Sequence, residues 1–247
     1  LANAGSTVIV DDIIWFAEPM FQHGLIAQSA RDVVRAGIPY YSSAGNNANV
    51  SFRMTYNDAV PGTDDMAFPP TGNDFHVWPN GRRFLPITVT PGTAVTVVLQ
   101  WNQPFDSVSP GNGSQIDLDM YLAPREDPDS ITSGTNGSFA EQGTTGNPVG
   151  DAVEMAFFVN REVEPVTFYL ALDHFGGEQD FIPQDPSQPL EIQMAFFGAH
   201  FKIEGLSQDW GIAGGPSIFG HAAAPGVMAV GAVPWYDTPA YDTSFGP

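Results

Sequence analysis

The stretch Tyr40-Tyr41-Ser42-Ser43-Ala44-Gly45-Asn46 contains residues suited to acyl-transfer chemistry. A short run of strand-compatible residues stops abruptly at a Gly-Asn pair. An amide held at a strand end beside a cleft can donate an N–H to a developing oxyanion. On local spacing alone, Asn46 also fits a turn residue following Gly45. A second polar pair, Asp11-Asp12, closes an earlier β-branched run. Adjacent strand residues point to opposite faces, so these carboxylates cannot form an acid–base dyad and suit a strand end or cleft rim instead. Asp117 and Asp119 share one strand face, opposite Ile116, Leu118 and Met120. They are candidate Ca²⁺ ligands with neighbouring loop oxygens, and Asp127 and Asp129 follow in the next loop. Solvent exposure of alternate strand residues explains the pair equally well. His221, in Gly220-His221-Ala222-Ala223-Ala224, reads as structural, because no Asp or Ser motif lies near it in sequence. His23, His76, His174 and His200 lack metal-ligand spacing.

The elements that must position these groups fall into two grammars. Thr7–Ile14 is a nearly continuous apolar, β-branched run, the pattern of a strand buried on both faces of a parallel sheet. Residues 23–36 carry Leu25, Ile26, Ala30, Val33 and Val34 at helical spacing, and Gly37 stands where a helix C′ residue belongs. Ile38–Ala44 is the next strand, completing a right-handed β-α-β crossover. From about residue 50, short alternating runs separated by Gly, Pro, Asn and Asp take over: 84–90, 94–101, 116–122, 152–159, 165–172 and 190–197. Val95, Val97, Leu99 and Trp101 share one face, as do Val166, Phe168, Leu170 and Leu172. This is the signature of an antiparallel sandwich or jelly roll. Near residue 208 the first grammar partly returns, and Val227–Val233 reads as another buried strand. Phe196, Phe197, Phe201 and Trp210 read as packing residues rather than a carbohydrate platform.

Composition narrows the function classes. The chain has 28 acidic against 8 basic residues and a formal net charge of −20, which argues against nucleic acid or an anionic membrane surface as partner. No apolar run approaches the roughly 18–20 residues of a membrane span. With no Cys, there are no disulfides, no thiolate metal sites and no Cys nucleophile. The sequence contains neither a Gly-Thr-Ser stretch nor a Gly-x-Ser-x-Gly elbow. Asn49, Asn112 and Asn136 open glycosylation sequons, a pattern that matters only in a eukaryotic secretory route. No signal peptide is visible, and both ends read as cuts through a longer protein.

Four pieces together resemble the subtilisin-like serine proteases, the subtilases. They are Thr7–Asp12, Ala36–Asn46, Pro225–Val233 and Ser244–Pro247, in the family's order, and the resemblance covers about 85 residues in the two flanks. The region between residues 50 and 206 resembles, more weakly, the pre-peptidase C-terminal type of β-sandwich, through Val95–Trp101, Asp117–Leu122, Glu154–Phe157 and Thr167–Leu170. The resemblance implies that Asn46 is the oxyanion amide, and that Ser43, Ala44 and Gly45 form one wall of the primary specificity pocket. It further implies that Asp12, Ile13 and Ile14 pair with an extended substrate. The family usually has Ser-Leu-Gly or similar there, so Asp-Ile-Ile is a departure that alters the pocket. The implied protein is a secreted, bacterial endopeptidase, and the catalytic Asp, His and Ser of such enzymes lie outside these 247 residues.

The expected fold is therefore mixed. Partial α/β, parallel-sheet, subtilase-like flanks (residues 1–48 and 210–247) surround an inserted antiparallel β-sandwich or jelly roll (residues 50–206). The expected partners are protein or peptide substrates. No cofactor is required, and Ca²⁺ is the candidate ion. An incomplete parallel sheet exposes edges and apolar faces, so the chain is expected to self-associate or to pair its flanks with the insert. The other expectation is a non-catalytic β-sandwich module that binds protein or glycan, accessory to a protease.

Overall fold

The computed structural model describes residues 1–46, 50–59, 71–111, 113–114, 116–131, 150–174, 189–204 and 214–233. The protein is rich in β-structure. Three strands form a small parallel sheet in the order β1 (Ile9–Asp11), β2 (Tyr40–Ser43), β11 (Met228–Val230), although β11 lies nearly 190 residues from β2 in sequence. Helix α1 (Leu25–Arg35) links β1 to β2. It ends in a Schellman closure: Gly37 donates to Val34 and Ile38 to Val33, satisfying carbonyls that the helix leaves open.

Two four-stranded antiparallel sheets make up the larger part. One runs β10 (Phe201–Ile203), β4 (Leu85–Val89), β8 (Val166–His174), β6 (Leu118–Ala123). The other runs β3 (Ser51–Thr55), β9 (Glu191–Gly198), β5 (Ala94–Trp101), β7 (Val153–Val159). Their facing side chains share one core that includes Ile87, Leu118, Met120, Leu170, Val97, Leu99 and Trp101. The Trp101 indole donates to Ser114 Oγ at 2.8 Å, so its one polar atom is satisfied inside that core. The alternating runs seen in the sequence correspond to β4 through β9 within two residues at each end. Strands β3 and β10 carry weaker signals, being short and at sheet edges.

The outer face of the β3-β9-β5-β7 sheet is also covered. Gln100 and Gln193 stand opposite each other on β5 and β9. Gln100 Nε2 donates to the Glu18 carbonyl at 2.8 Å and its Oε1 accepts from the Met20 amide at 2.7 Å. Gln193 Nε2 donates to the Pro216 carbonyl at 2.8 Å, which also accepts from Ser51 Oγ. Side-chain amides thus hold the segments around residues 18–20 and 215–216 on the sandwich. This explains why β5 is buried on both faces.

The small parallel sheet departs from the sequence expectation of burial on both faces. Strand β1 is three residues long rather than eight, and Val8 and Val10 are 51% and 70% exposed. Strand β11 is exposed along its whole length, where Val227–Val233 was expected to be buried. In α1, Ala27 and Ala30 face inward onto Ala224, whereas Leu25 and Ile26 are exposed. Small residues win the inner positions because the helix lies close against the 220–223 turn. The physical reason for the exposed strands is coverage. Helix α1 and the 220–223 turn cover one face of the sheet, and no described residue covers the apolar side chains of the other. Among the described residues no helix is long and apolar enough to cross a membrane.

Candidate functional site

Parallel pairing brings the carboxyl ends of β1, β2 and β11 to one edge, where open α/β sheets place their ligands. The Ala44 amide donates to the Val230 carbonyl at 2.9 Å, extending the register one step past β2. Beyond that, Gly45 turns the chain with φ 72°, a left-handed value that a Cβ would strain, and presents Asn46 exposed at the rim. Residues 12–14, 43–46 and 217–219 meet around a cavity of about 310 Å³. Asp12, Ile13, Ile14, Ser43, Ala44, Gly45 and Asn46 thus all border one cleft, together with Phe197 and Gly198 from the sandwich. Asn46 also borders a second cavity of about 510 Å³ on the uncovered face of the parallel sheet, beside Val10, Tyr41 and Val230.

Behind the first cavity lies a charge network that connects residues distant in sequence. His221 is buried, and its Nδ1 sits 2.5 Å from Glu18 Oε2, while its backbone N–H donates to Glu18 Oε1 at 2.9 Å. Its Nε2 lies 3.3 Å from both Asp11 Oδ1 and Ser42 Oγ. Ser42 donates to Asp11 Oδ1 at 2.7 Å. Gly220 has φ 63°, and a Cβ there would run into the Glu18 carboxylate, so only glycine lets the turn close over it.

The electrostatics follow from burial against pairing. Burial opposes a charge on His221, but Glu18 and Asp11 outweigh it and raise its pKa above the usual value. Burial raises Glu18 above the ordinary carboxylate range in spite of His221. For Asp11 burial pushes upward, and hydrogen bonds from Tyr40, Ser42 and His221 prevail to hold it low. Tyr40 is pushed up by burial and by Asp11.

Ser42, His221 and Glu18 stand in the order of a nucleophile, base and acid, yet the arrangement does not activate the serine. Ser42 is 1% exposed, its hydroxyl proton goes to Asp11 rather than to His221, and both ring nitrogens of His221 face carboxylate oxygens. The cluster is a buried ion network that ties β1, β2, residue 18 and the 220–223 turn together. The sequence reading of His221 as structural rested on the lack of a nearby Asp or Ser, and the fold supplies both. The two adjacent aspartates divide as strand alternation requires, with Asp11 turned into the network and Asp12 exposed at the cleft. No sequence signal pointed to Glu18.

The candidate Ca²⁺ ligands lie elsewhere. Asp119 pairs in register with Asp173 across β6 and β8 and accepts from the Tyr121 hydroxyl at 3.0 Å. Burial raises its pKa against that hydrogen bond. Asp117 immediately precedes β6. Among the described residues no group of three His, Cys, Asp or Glu side chains is placed to hold a metal ion. Near this region, burial pushes the His76 pKa down to about 3, so that ring is neutral. Ser244–Pro247, Trp210 and the three sequon asparagines lie outside the described residues. The chain matches no protein-family model and no curated protein.

Proposed function

We propose that the cleft bounded by residues 12–14, 43–46 and 217–219 is the substrate-binding and oxyanion corner of a secreted subtilisin-like serine endopeptidase. Asn46 donates its side-chain N–H to the oxyanion of the tetrahedral intermediate. Asp12, Ile13 and Ile14 pair with the extended peptide, and Ser43, Ala44 and Gly45 wall the primary pocket. The observation that carries this reading is the meeting of those three distant segments around one side-chain-sized cavity with Asn46 at its edge. A second support is the uncovered apolar face beside Asn46, since parallel sheets are normally covered on both faces. In this reading the nucleophile, base and acid come from residues outside these 247, because the sequence holds no Gly-Thr-Ser stretch. The chain by itself is then inactive.

A reactive-serine fluorophosphonate probe tests this. The 247-residue chain stays unlabelled, and in the complete gene product Asn46→Ala lowers peptidase kcat by about 100- to 1,000-fold with KM little changed. Stoichiometric labelling of the isolated chain, or an unaltered kcat in that variant, overturns the assignment. The alternative of an independent β-sandwich binding module has less support. One outer face of the sandwich is engaged by the cleft-bearing segments through Gln100 and Gln193.

A further inference from the structure

We infer that the cleft takes a peptide side chain with an apolar stem and a cationic tip, of the arginine or lysine class, and that the β-sandwich helps to select it. This rests on the reading of the cleft as the substrate pocket of an endopeptidase. The cavity of about 310 Å³ is at the small end of ligand pockets, which run from about 300 to 1,000 Å³, and suits one side chain rather than a cofactor.

Its walls are aromatic and aliphatic. Phe16 packs on Phe197 with ring centroids 4.5 Å apart, and Phe197 meets Phe219 edge-on at 6.3 Å. Phe197 is the next-to-last residue of β9, so the sandwich itself contributes a wall of the pocket. Methylene groups of a long side chain bury well against such rings, and a cation near a ring face gains further.

The floor and rim carry the opposite character. Glu18 lines the cavity with 5% of its surface exposed, and among the described residues its carboxylate accepts from the His221 backbone N–H and meets the His221 ring. A carboxylate offers about four acceptor positions, and the described residues occupy two of those on Glu18. Asp12 adds a carboxylate at the rim, Asp11 stands directly behind His221, and among the described residues no Lys or Arg lines the cavity. Three carboxyl groups, Glu18, Asp12 and Asp11, thus stand around the single imidazole of His221. A neutral aromatic tip would strip water from this excess negative charge without offsetting it, and an acidic tip would be repelled. A guanidinium or ammonium tip offsets it and donates to Glu18.

Ligand-observed NMR titration of the 247-residue chain decides the matter, using n-butylguanidinium, p-cresol and n-pentanol as side-chain probes. The expected result is saturable binding of n-butylguanidinium, weakened about tenfold by Glu18→Gln, the size of one charge-assisted hydrogen bond. Phe197→Ser weakens it as well. Because Glu18 is buried and its variant can unfold, Asp12→Asn at the exposed rim provides a second arm, with a smaller, salt-sensitive loss. Tighter or equal binding of p-cresol or n-pentanol overturns the proposal, as does unchanged affinity in both Asp12→Asn and a folded Glu18→Gln. Binding as expected from a complete gene product without peptidase activity sinks the endopeptidase reading and leaves the pocket assignment standing. A peptidase that cleaves after aromatic residues sinks the pocket assignment alone.

Discussion

The two antiparallel sheets and the small parallel sheet use similar apolar residues to different ends. In the sandwich, Val97, Leu99 and Trp101 face Leu118, Met120 and Leu170 across a closed interior, with almost no surface left to water. In the parallel sheet, Val10 and Val230 are more than half exposed, and the strands are three or four residues long. What holds the second region is a buried ion network and a pair of glutamine amides anchored in the first. Hydrophobic burial makes the frame, and directional polar contacts aim the cleft from it. A site held by polar contacts can be tuned or broken by single groups, whereas the frame fails only as a whole.

The comparison can be broken most severely on the frame side. Trp101→Ala should cost about 3–5 kcal/mol, lower the midpoint of chemical unfolding and take the cleft down with the sandwich. If the cleft keeps its ligand affinity after that loss, the frame does not support it. His221→Ala should be of comparable size, about 3–5 kcal/mol, because it leaves the buried Glu18 and the half-buried Asp11 without their shared partner. The loss should appear first as faster amide hydrogen exchange in β1 and β2, with the sandwich strands still protected. Equal acceleration in both regions would erase the distinction drawn between them.

Next in size is the anchoring. Gln100→Ala leaves the Met20 amide and the Glu18 carbonyl without their partner, which costs about 1–3 kcal/mol. Exchange at Met20 reports it directly. The pH dependence sharpens the same contrast. His221 is held above its ordinary value of 6.5, so its ion pairs are fully present below that pH and are lost as pH rises through the raised value. Asp11 is held below 3.8, so its contribution is present above that pH and is lost as pH falls through the lowered value. Glu18, raised by burial, favours the folded state most when protonated and works with His221. The loss of stability as pH rises through the raised His221 value should therefore be absent in His221→Ala and present in Trp101→Ala, whereas the loss belonging to Glu18 at lower pH remains in both, as followed by thermal melts across pH. The smallest effect is expected at the exposed sheet face. Val10→Lys should change stability by no more than about 0.5 kcal/mol and suppress self-association of the chain in sedimentation experiments. A large loss would mean that Val10 is covered in the folded protein.

Much of the frame was legible before folding. Period-two alternation in Val95–Trp101 and Val166–Leu172 follows from the pleat itself, so strands β5 and β8 could be read almost residue for residue. The C-terminal stop of α1 was legible too, since Gly37 leaves few other endings. The parallel strands were read too long and too buried. A continuous β-branched run signals strand formation, but what covers each face is settled by distant residues. Within the candidate site, Asn46 stood out as an amide at a strand end, whereas the 43–45 wall came only from the family resemblance. Glu18 did not, because nothing around it in sequence marks a buried acid.

The sequence by itself determined the element types, the absence of thiol chemistry, the strongly acidic surface and the polar strand ends that border a cleft. These depend on side-chain period, composition and neighbours within a few residues. Only the tertiary structure decided that His221 meets Glu18 and Asp11, 203 and 210 residues away, and that Phe197 of the sandwich walls the same cavity. Burial and pairing of charges are properties of three-dimensional proximity, and a linear chain carries no measure of them.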